Sequence, residues 1–263
     1  MIDALGFRGI WQKHSESAVL AKLQQLAEIT GDEASDLQSV ARAHGGNVLE
    51  FVRPSFLSDT VVFAVASKPV DVVNQGLSET GWGGIIEFDD SSLEGEAVRI
   101  AAELISVLIR RGLEDPVPLA FRGALAFGRF GMTDRFVIGQ AIDEAAEWMN
   151  RAQGAFVILT PSAAKYPQAE VPSSVSNLVR YSVPLKASGS SGSTFETLVV
   201  SPFAGVSDSA KRKKLTDQLI GSFGTSRTDD VEQKLGNTLK FLQTAEEIEK
   251  SLFADLLASA TRP

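Results

Sequence analysis

The stretch Val48-Leu49-Glu50-Phe51-Val52-Arg53-Pro54-Ser55-Phe56-Leu57-Ser58-Asp59-Thr60-Val61-Val62-Phe63-Ala64-Val65-Ala66 decides the fold. Two apolar, β-branched runs, 48–53 and 60–66, flank a segment of turn-forming residues. That pattern predicts a β-hairpin whose connection is 54–59, with Asp59 at or near the turn. A second hairpin is expected where 181–185 and 197–201 flank the Gly/Ser-rich segment 187–193. Hairpins are antiparallel, so a purely parallel doubly wound sheet is excluded.

Helical signals lie between and around these strands. After Ser15-Glu16-Ser17, the residues Val19, Leu20, Leu23, Leu26 and Ala27 recur at helical spacing, and Gly31 is expected to stop the run. A short second helix is predicted over 33–43, before Gly45-Gly46. Val98, Ala101, Ala102, Ile105, Leu108 and Ile109 define an amphipathic helix closed by Gly112. A strand is expected over 119–127, then a turn-rich connection over 128–135, a helix over 141–152 and a strand over 155–159. The pattern weakens over 67–90, where Gly81-Trp82-Gly83-Gly84 reads as a loop. Beyond Asp208 the tail is helical, carrying Leu215, Leu219 and Ile220, then Leu235, Leu239, Phe241 and Leu242. The expected architecture is α+β: helices packed on a mixed, mainly antiparallel sheet, followed by C-terminal helices. The division is 1–205 for the main domain and 206–263 for the helical extension.

Composition narrows the chemistry. The 263 residues contain no Cys and two His, which excludes thiolate metal sites, disulfides and multi-histidine sites. Any metal would be held by oxygens, which points to Mg²⁺, Mn²⁺ or Ca²⁺. A net charge of −8 argues against a nucleic-acid-coating surface. No apolar run approaches the roughly 20 residues of a membrane helix, and the start carries no secretion signal. A cytoplasmic protein is expected. Phosphate loops, dinucleotide fingerprints and nucleophile elbows are absent.

Two short motifs remain. In Ile2-Asp3-Ala4-Leu5-Gly6-Phe7, an acid ends a short strand before a glycine turn. In Leu57-Ser58-Asp59-Thr60-Val61-Val62, an acid sits in the hairpin turn. On adjacent strands, Asp3 and Asp59 would converge on a pair of hard cations, while amides of Leu5, Gly6 and Phe7 face phosphate oxygens. An isolated Asp in a turn is otherwise a cap or an Asx-turn residue.

Four further stretches follow in order: Arg122-Gly123-Ala124-Leu125-Ala126-Phe127-Gly128, Gly139-Gln140-Ala141-Ile142-Asp143-Glu144-Ala145-Ala146-Glu147, Phe156-Val157-Ile158-Leu159-Thr160-Pro161-Ser162 and Val183-Pro184-Leu185-Lys186. With the two acidic motifs, they resemble the catalytic domain of class III nucleotide cyclases over residues 2 to about 201. Gly123 replaces the usual apolar residue of the third motif. The resemblance implies a ferredoxin-like cyclase sandwich acting as a homodimer with composite active sites. It implies two Mg²⁺ or Mn²⁺ ions held by Asp3 and Asp59, with the Ala4 carbonyl as a further ligand. Arg122 and Lys186 would contact the triphosphate. Read without the resemblance, Arg122 also suits a rim salt bridge and Lys186 a solvated lysine.

The departures refine that picture. Asp143 stands where the family has its ribose-positioning Asn, and Glu147 where it has its transition-state Arg. Arg8 or Arg53 would then supply the missing positive charge. Ser55 and Phe136 replace the purine-reading Lys and Asp, which fits a smaller base. In this respect the chain is similar to the stand-alone bacterial pyrimidine cyclases of antiphage signalling, which make cyclic UMP or cyclic CMP for a separate downstream effector. The resemblance therefore implies conversion of UTP or CTP to the 3′,5′-cyclic nucleotide and pyrophosphate. The acids on the Asp143 helix keep a second possibility open, a catalytically silent nucleotide-binding or regulatory dimerisation module. A ligand-free structural dimer is a third. Trp82 and Trp148 read as core or dimer-contact residues, with base stacking as the alternative. Lys211-Arg212-Lys213-Lys214 reads as a solvated helix face or an anion contact.

Overall fold

The computed structural model describes residues 1–5, 10, 13–43, 51–57, 60–66, 85–86, 91–132, 137–166, 177–186, 193–224 and 227–260. The first half runs β1 (Ile2–Ala4), α1 (Glu16–Ala43), β2 (Phe51–Leu57), β3 (Thr60–Ala66), β4 (Ile85–Ile86), α2 (Ser91–Leu113) and β5 (Phe121–Leu125). Then come β6 (Phe130–Met132), β7 (Val137–Ile138), α3 (Gln140–Arg151), β8 (Val157–Leu159), β9 (Leu178–Pro184), β10 (Thr194–Val200), α4 (Ser209–Ser222) and α5 (Asp229–Ala260).

The main sheet has seven strands in the order β2-β3-β1-β5-β8-β10-β9. Its first part, β1-α1-β2-β3-α2-β5, is a split βαβ unit with β1 between β3 and β5, the ferredoxin-like arrangement. β5 and β8 are parallel and joined through α3, while the other neighbouring pairs are antiparallel. The α+β sandwich expected from the hairpins is the fold observed. A small second sheet, β4-β6-β7, lies outside the main one.

Helix α2 is the central support. Val98, Ala102, Ile105, Leu108 and Ile109 are all buried, as their spacing demands. Ala97, Ile100 and Leu104 are buried too, against the partly buried Val65 of β3, so α2 is apolar well beyond one stripe. Its C-terminus is closed by α1. The buried Lys22 donates through Nζ to the carbonyls of Arg111 at 2.6 Å and Glu114 at 2.9 Å. A cation on the orphan carbonyls of a helix end opposes the macrodipole as well as satisfying them. Burial lowers the Lys22 pKa, while Glu114 and Asp115 pull it back up.

The C-terminal helices share the same core. Phe241 of α5 stacks edge-on against Phe156 and Tyr181, with ring centroids 5.8 and 5.2 Å apart. Each such pair contributes about 0.5–1.5 kcal/mol beyond its buried area. Thr238 Oγ1 also accepts a hydrogen bond from the backbone N–H of Ala155 at 2.8 Å.

Four expectations need correction. Gly31 does not stop the first helix, and the two helices expected over 19–43 form one, Glu16–Ala43. Gly31 is exposed with open space around it, so its cost there is the modest one of an interior helical glycine. Leu20, counted on the buried stripe, is 57% exposed. Strand β2 runs to Leu57, through Pro54, which the sequence pattern assigns to the connection. Pro is tolerated because β2 lies at the sheet edge, where a missing donor need not break a ladder. Finally, part of the supposed connection 128–135 is strand β6, paired with β4 and β7. The Gly81–Gly84 loop and Trp82 lie outside the described residues.

Candidate active site on the central strands

Strand β1 sits between β3 and β5 and alternates strictly. Ile2 and Ala4 are buried on one face, which places Asp3 on the other. The register sets Asp3 directly opposite Arg122 of β5 and Thr60 of β3. Three polar side chains from three neighbouring strands therefore meet at one point.

Their bonds are specific. Arg122 donates to Asp3 Oδ2 through Nε at 3.2 Å and a terminal nitrogen at 3.1 Å. Thr60 Oγ1 donates to Asp3 Oδ1 at 3.2 Å. The side chains of Arg122 and Asp3 are 18% and 16% exposed, so the pair is largely desolvated but reachable from solvent. A carboxylate at this depth requires a positive or hydrogen-bonding partner. Arg122 thus forms the salt bridge that remained open from the sequence, and its partner is the candidate metal ligand itself.

Lys186 joins this neighbourhood from the far side. Its backbone N–H donates to the Arg151 carbonyl at 2.8 Å, just beyond the bridge between Ala152 and Leu185. Its ammonium is held below the usual lysine range, first by partial burial and then by the positive charges of Arg122 and Lys234, with Asp230 opposing.

One expected contact is redirected. The Leu5 N–H donates to the Ala120 carbonyl at 2.8 Å, so it belongs to the β1–β5 side of the sheet and is not free for a phosphate. Gly6 and Phe7 lie outside the described residues, as do Arg8, Asp59 and Phe136. Leu57 pairs with Thr60, and Ser58 and Asp59 are the two residues between them in sequence. Arg53 and Ser55 lie on β2, opposite Ala64 and Val62.

Asp143 is exposed in the first turn of α3, its backbone N–H bonded to the Gly139 carbonyl at 3.0 Å. Gly139 has φ of 133°, and a Cβ there would lie 2.6 Å from the Arg129 carbonyl oxygen and from Phe130 Cα. Only glycine starts the helix in that way. Asp143, Glu147 and Arg151 recur every four residues and share one helix face. Glu147 pairs with Arg151 at 3.3 Å. The Arg151 guanidinium lies 4.3 Å from the ring centre of Trp148, which also packs on the Phe195 ring. Trp148 therefore acts as a packing residue in this structure. The basic run on α4 divides: Arg212 pairs with Glu249, whereas Lys214 reaches Asp115 at 3.5 Å on the surface.

Sequence reading missed Thr60, Arg151, Asp230 and Lys234. The first two carried a signal: Thr60 follows Asp59 directly, and Arg151 stands one turn beyond Glu147. The last two belong to the extension and could be found only by folding.

The oxygen-only set fits a hard cation chemically, since Asp3 already holds a cationic group and has a hydroxyl beside it. Among the described residues, no group of three or more His, Asp or Glu is placed so that it could hold a metal ion. No described helix is long and apolar enough to cross a membrane.

No protein-family model matches the sequence, and no curated protein matches it. Among solved structures, the chain is similar to the crystal structure of the catalytic core of a rhodopsin-guanylyl cyclase with converted specificity in complex with ATPαS. The identity is 13% and the TM-score 0.41, over 76% of this chain and 92% of that one.

Proposed function

We propose that this chain is a metal-dependent nucleotide cyclase of the class III type, acting as a homodimer with composite sites. The observation that carries this reading is the meeting of Asp3 and Arg122 on adjacent central strands, with Thr60 alongside. The two residues come from separate motifs of the ordered series, 119 positions apart. Two Mg²⁺ or Mn²⁺ ions held by Asp3, Asp59 and the Ala4 carbonyl would acidify the ribose 3′-hydroxyl and neutralise charge on the leaving group. Arg122 and Lys186 bind triphosphate oxygens. Gly6 and Phe7 supply amides to the phosphates, while Arg53, Ser55, Phe136 and Asp143 serve the base and ribose. The 3′-oxygen bonds to the α-phosphorus, the bond from that phosphorus to the bridging oxygen breaks, pyrophosphate leaves, and the hydroxyl proton passes to solvent.

The substrate in this reading is UTP or CTP, because Ser55 and Phe136 replace purine readers. The product would be a second messenger in antiviral defence, passed to a separate effector in the cytoplasm. Residues 1–205 form the catalytic domain and 206–263 its helical extension, with no nucleic acid or membrane involved.

A second reading has its own support. Asp143 and Glu147 put two acids on one face of α3, and the basic residue on that face, Arg151, is engaged by Glu147. A silent nucleotide-binding module would have this appearance. Incubation of the protein with each of the four NTPs and Mn²⁺, with products identified by mass spectrometry, separates the readings. The cyclase reading expects cyclic UMP or cyclic CMP. A purine product would overturn the base assignment, and metal-dependent NTP binding without turnover would favour the silent module.

Arg122→Ala is expected to act mainly on KM, since its charge meets phosphate oxygens in both ground and transition states. Hydrogen bonds to charged groups are worth about 1.5–3 kcal/mol. KM should therefore rise roughly 10- to 150-fold, with kcat changed much less. Steady-state kinetics would show it, and a fall in kcat at constant KM would remove Arg122 from the phosphate site.

A further inference from the structure

The helical extension reaches the charged end of the site. Lys234, in the second turn of α5, has a side chain only 17% exposed, held by Asp230 one turn earlier. Asp230 is fixed in turn by Gln153, whose Nε2 donates to its Oδ1 at 2.9 Å. Gln153 is 5% exposed and locked on both sides. Its N–H donates to the Pro184 carbonyl at 2.9 Å, and its own carbonyl accepts from Asn237 Nδ2 at 2.7 Å. Those bonds place the start of α5 beside the end of β9, where Lys186 follows. The N–H of Gly123, next to Arg122, donates to the carbonyl of Phe156, three residues beyond Gln153.

Arg122, Lys186 and Lys234 thus converge from β5, the end of β9 and α5. Arg122 and Lys234 each have a carboxylate, Asp3 and Asp230. Lys186 is exposed and has no ion-pair partner among the described residues; Arg122 and Lys234 act on it as like charges, with Asp230 partly offsetting them. Three cations against the two carboxylates leave one positive charge over, which favours an anion at this point.

We propose that Lys234 completes a polyphosphate subsite with Arg122 and Lys186, so that the C-terminal helix is part of the nucleotide site. The identity of the ligand rests on the reading of Arg122 and Lys186 as triphosphate contacts. A chain of phosphoryl groups carries several negative charges in a row and suits ammonium and guanidinium groups spaced along it. Binding should weaken as salt is raised.

Calorimetric titration of the full chain with inorganic tripolyphosphate tests this without turnover. Wild type should bind, Lys234→Met should weaken binding by about tenfold, and Lys234→Arg should restore most of it. Lys240→Met, at an exposed position further along the same helix, should leave affinity within about twofold. Lys234→Gln, which can still hydrogen-bond Asp230, serves if the Met variant does not fold. Unchanged affinity in a folded Lys234→Gln or Lys234→Met protein, or no binding by wild type, would overturn the subsite. The two readings fail separately. Loss of affinity on substitution, with no cyclic product from wild type, removes the cyclase reading alone. Cyclic product from wild type, with unchanged affinity in the variants, removes the subsite alone.

Discussion

Asp3→Ala is expected to lower the rate of cyclisation at least ~10³-fold, the scale for removing a group whose charge organises the transition state. Asp59→Ala should do the same, and the double substitution should be little worse than either. Groups that serve one metal pair act as a unit, so removing the second carboxylate has little left to abolish. Asp3→Asn makes the sharper variant. It keeps an acceptor for Thr60 and nearly the same shape, but removes the charge and turns an amide NH2 toward the Arg122 donors. Circular dichroism should show a folded protein, while turnover falls as far as in Asp3→Ala. Additive losses in the double variant would mean that the two acids do not share a site.

Gly123→Val is expected to have the largest effect on stability. In the β1–β5 register Gly123 lies opposite Ile2. A Cβ at this position would stand 2.5 Å from Ile2 Cγ2, 2.5 Å from the Met1 carbonyl oxygen and 2.9 Å from Ile2 Cα. Two of those atoms are backbone, so no side-chain rotation relieves the overlap, and β1 must move away from β5. Overpacking of this kind costs about 3 kcal/mol or more. For a chain of this size that lowers Tm by roughly 6–12 °C. Since Asp3 is carried on the same short strand, activity should fall along with stability. Gly31→Ala is the control. With open space around position 31, it should stabilise the protein by about 0.5–1 kcal/mol through helix propensity alone. Differential scanning calorimetry of both variants would read the contrast.

The parts of the fold visible in the sequence were those with strong local patterns. The β2–β3 hairpin followed from two β-branched runs, and α2 followed from apolar residues at helical spacing. What local patterns misjudged were single residues whose cost depends on position. Gly31 and Pro54 have the local signature of breaks, yet an exposed helix interior accommodates the one and an edge strand the other. The site divides similarly. Asp3 and Arg122 were found separately through their motifs. Their direct pairing depends on the registers of β1 with β3 and β5, which no local pattern encodes across 119 residues. Lys234 and Asp230 were invisible, because they lie on an ordinary charged helix face beyond the resemblance. Only the packing of α5, through Gln153, Thr238 and Phe241, carries them to Lys186.

The central claim is that Asp3 and its neighbours cyclise a nucleoside triphosphate, and phosphorus stoichiometry tests it most directly. Purified wild-type protein incubated with UTP or CTP and Mn²⁺ should release pyrophosphate and 3′,5′-cyclic nucleotide in equal amounts, read by phosphorus NMR and mass spectrometry. The Asp3→Asn protein, folded and at the same concentration, should release neither. Nucleoside diphosphate with inorganic phosphate, or no product at all from folded wild-type protein with any of the four NTPs, would contradict the account.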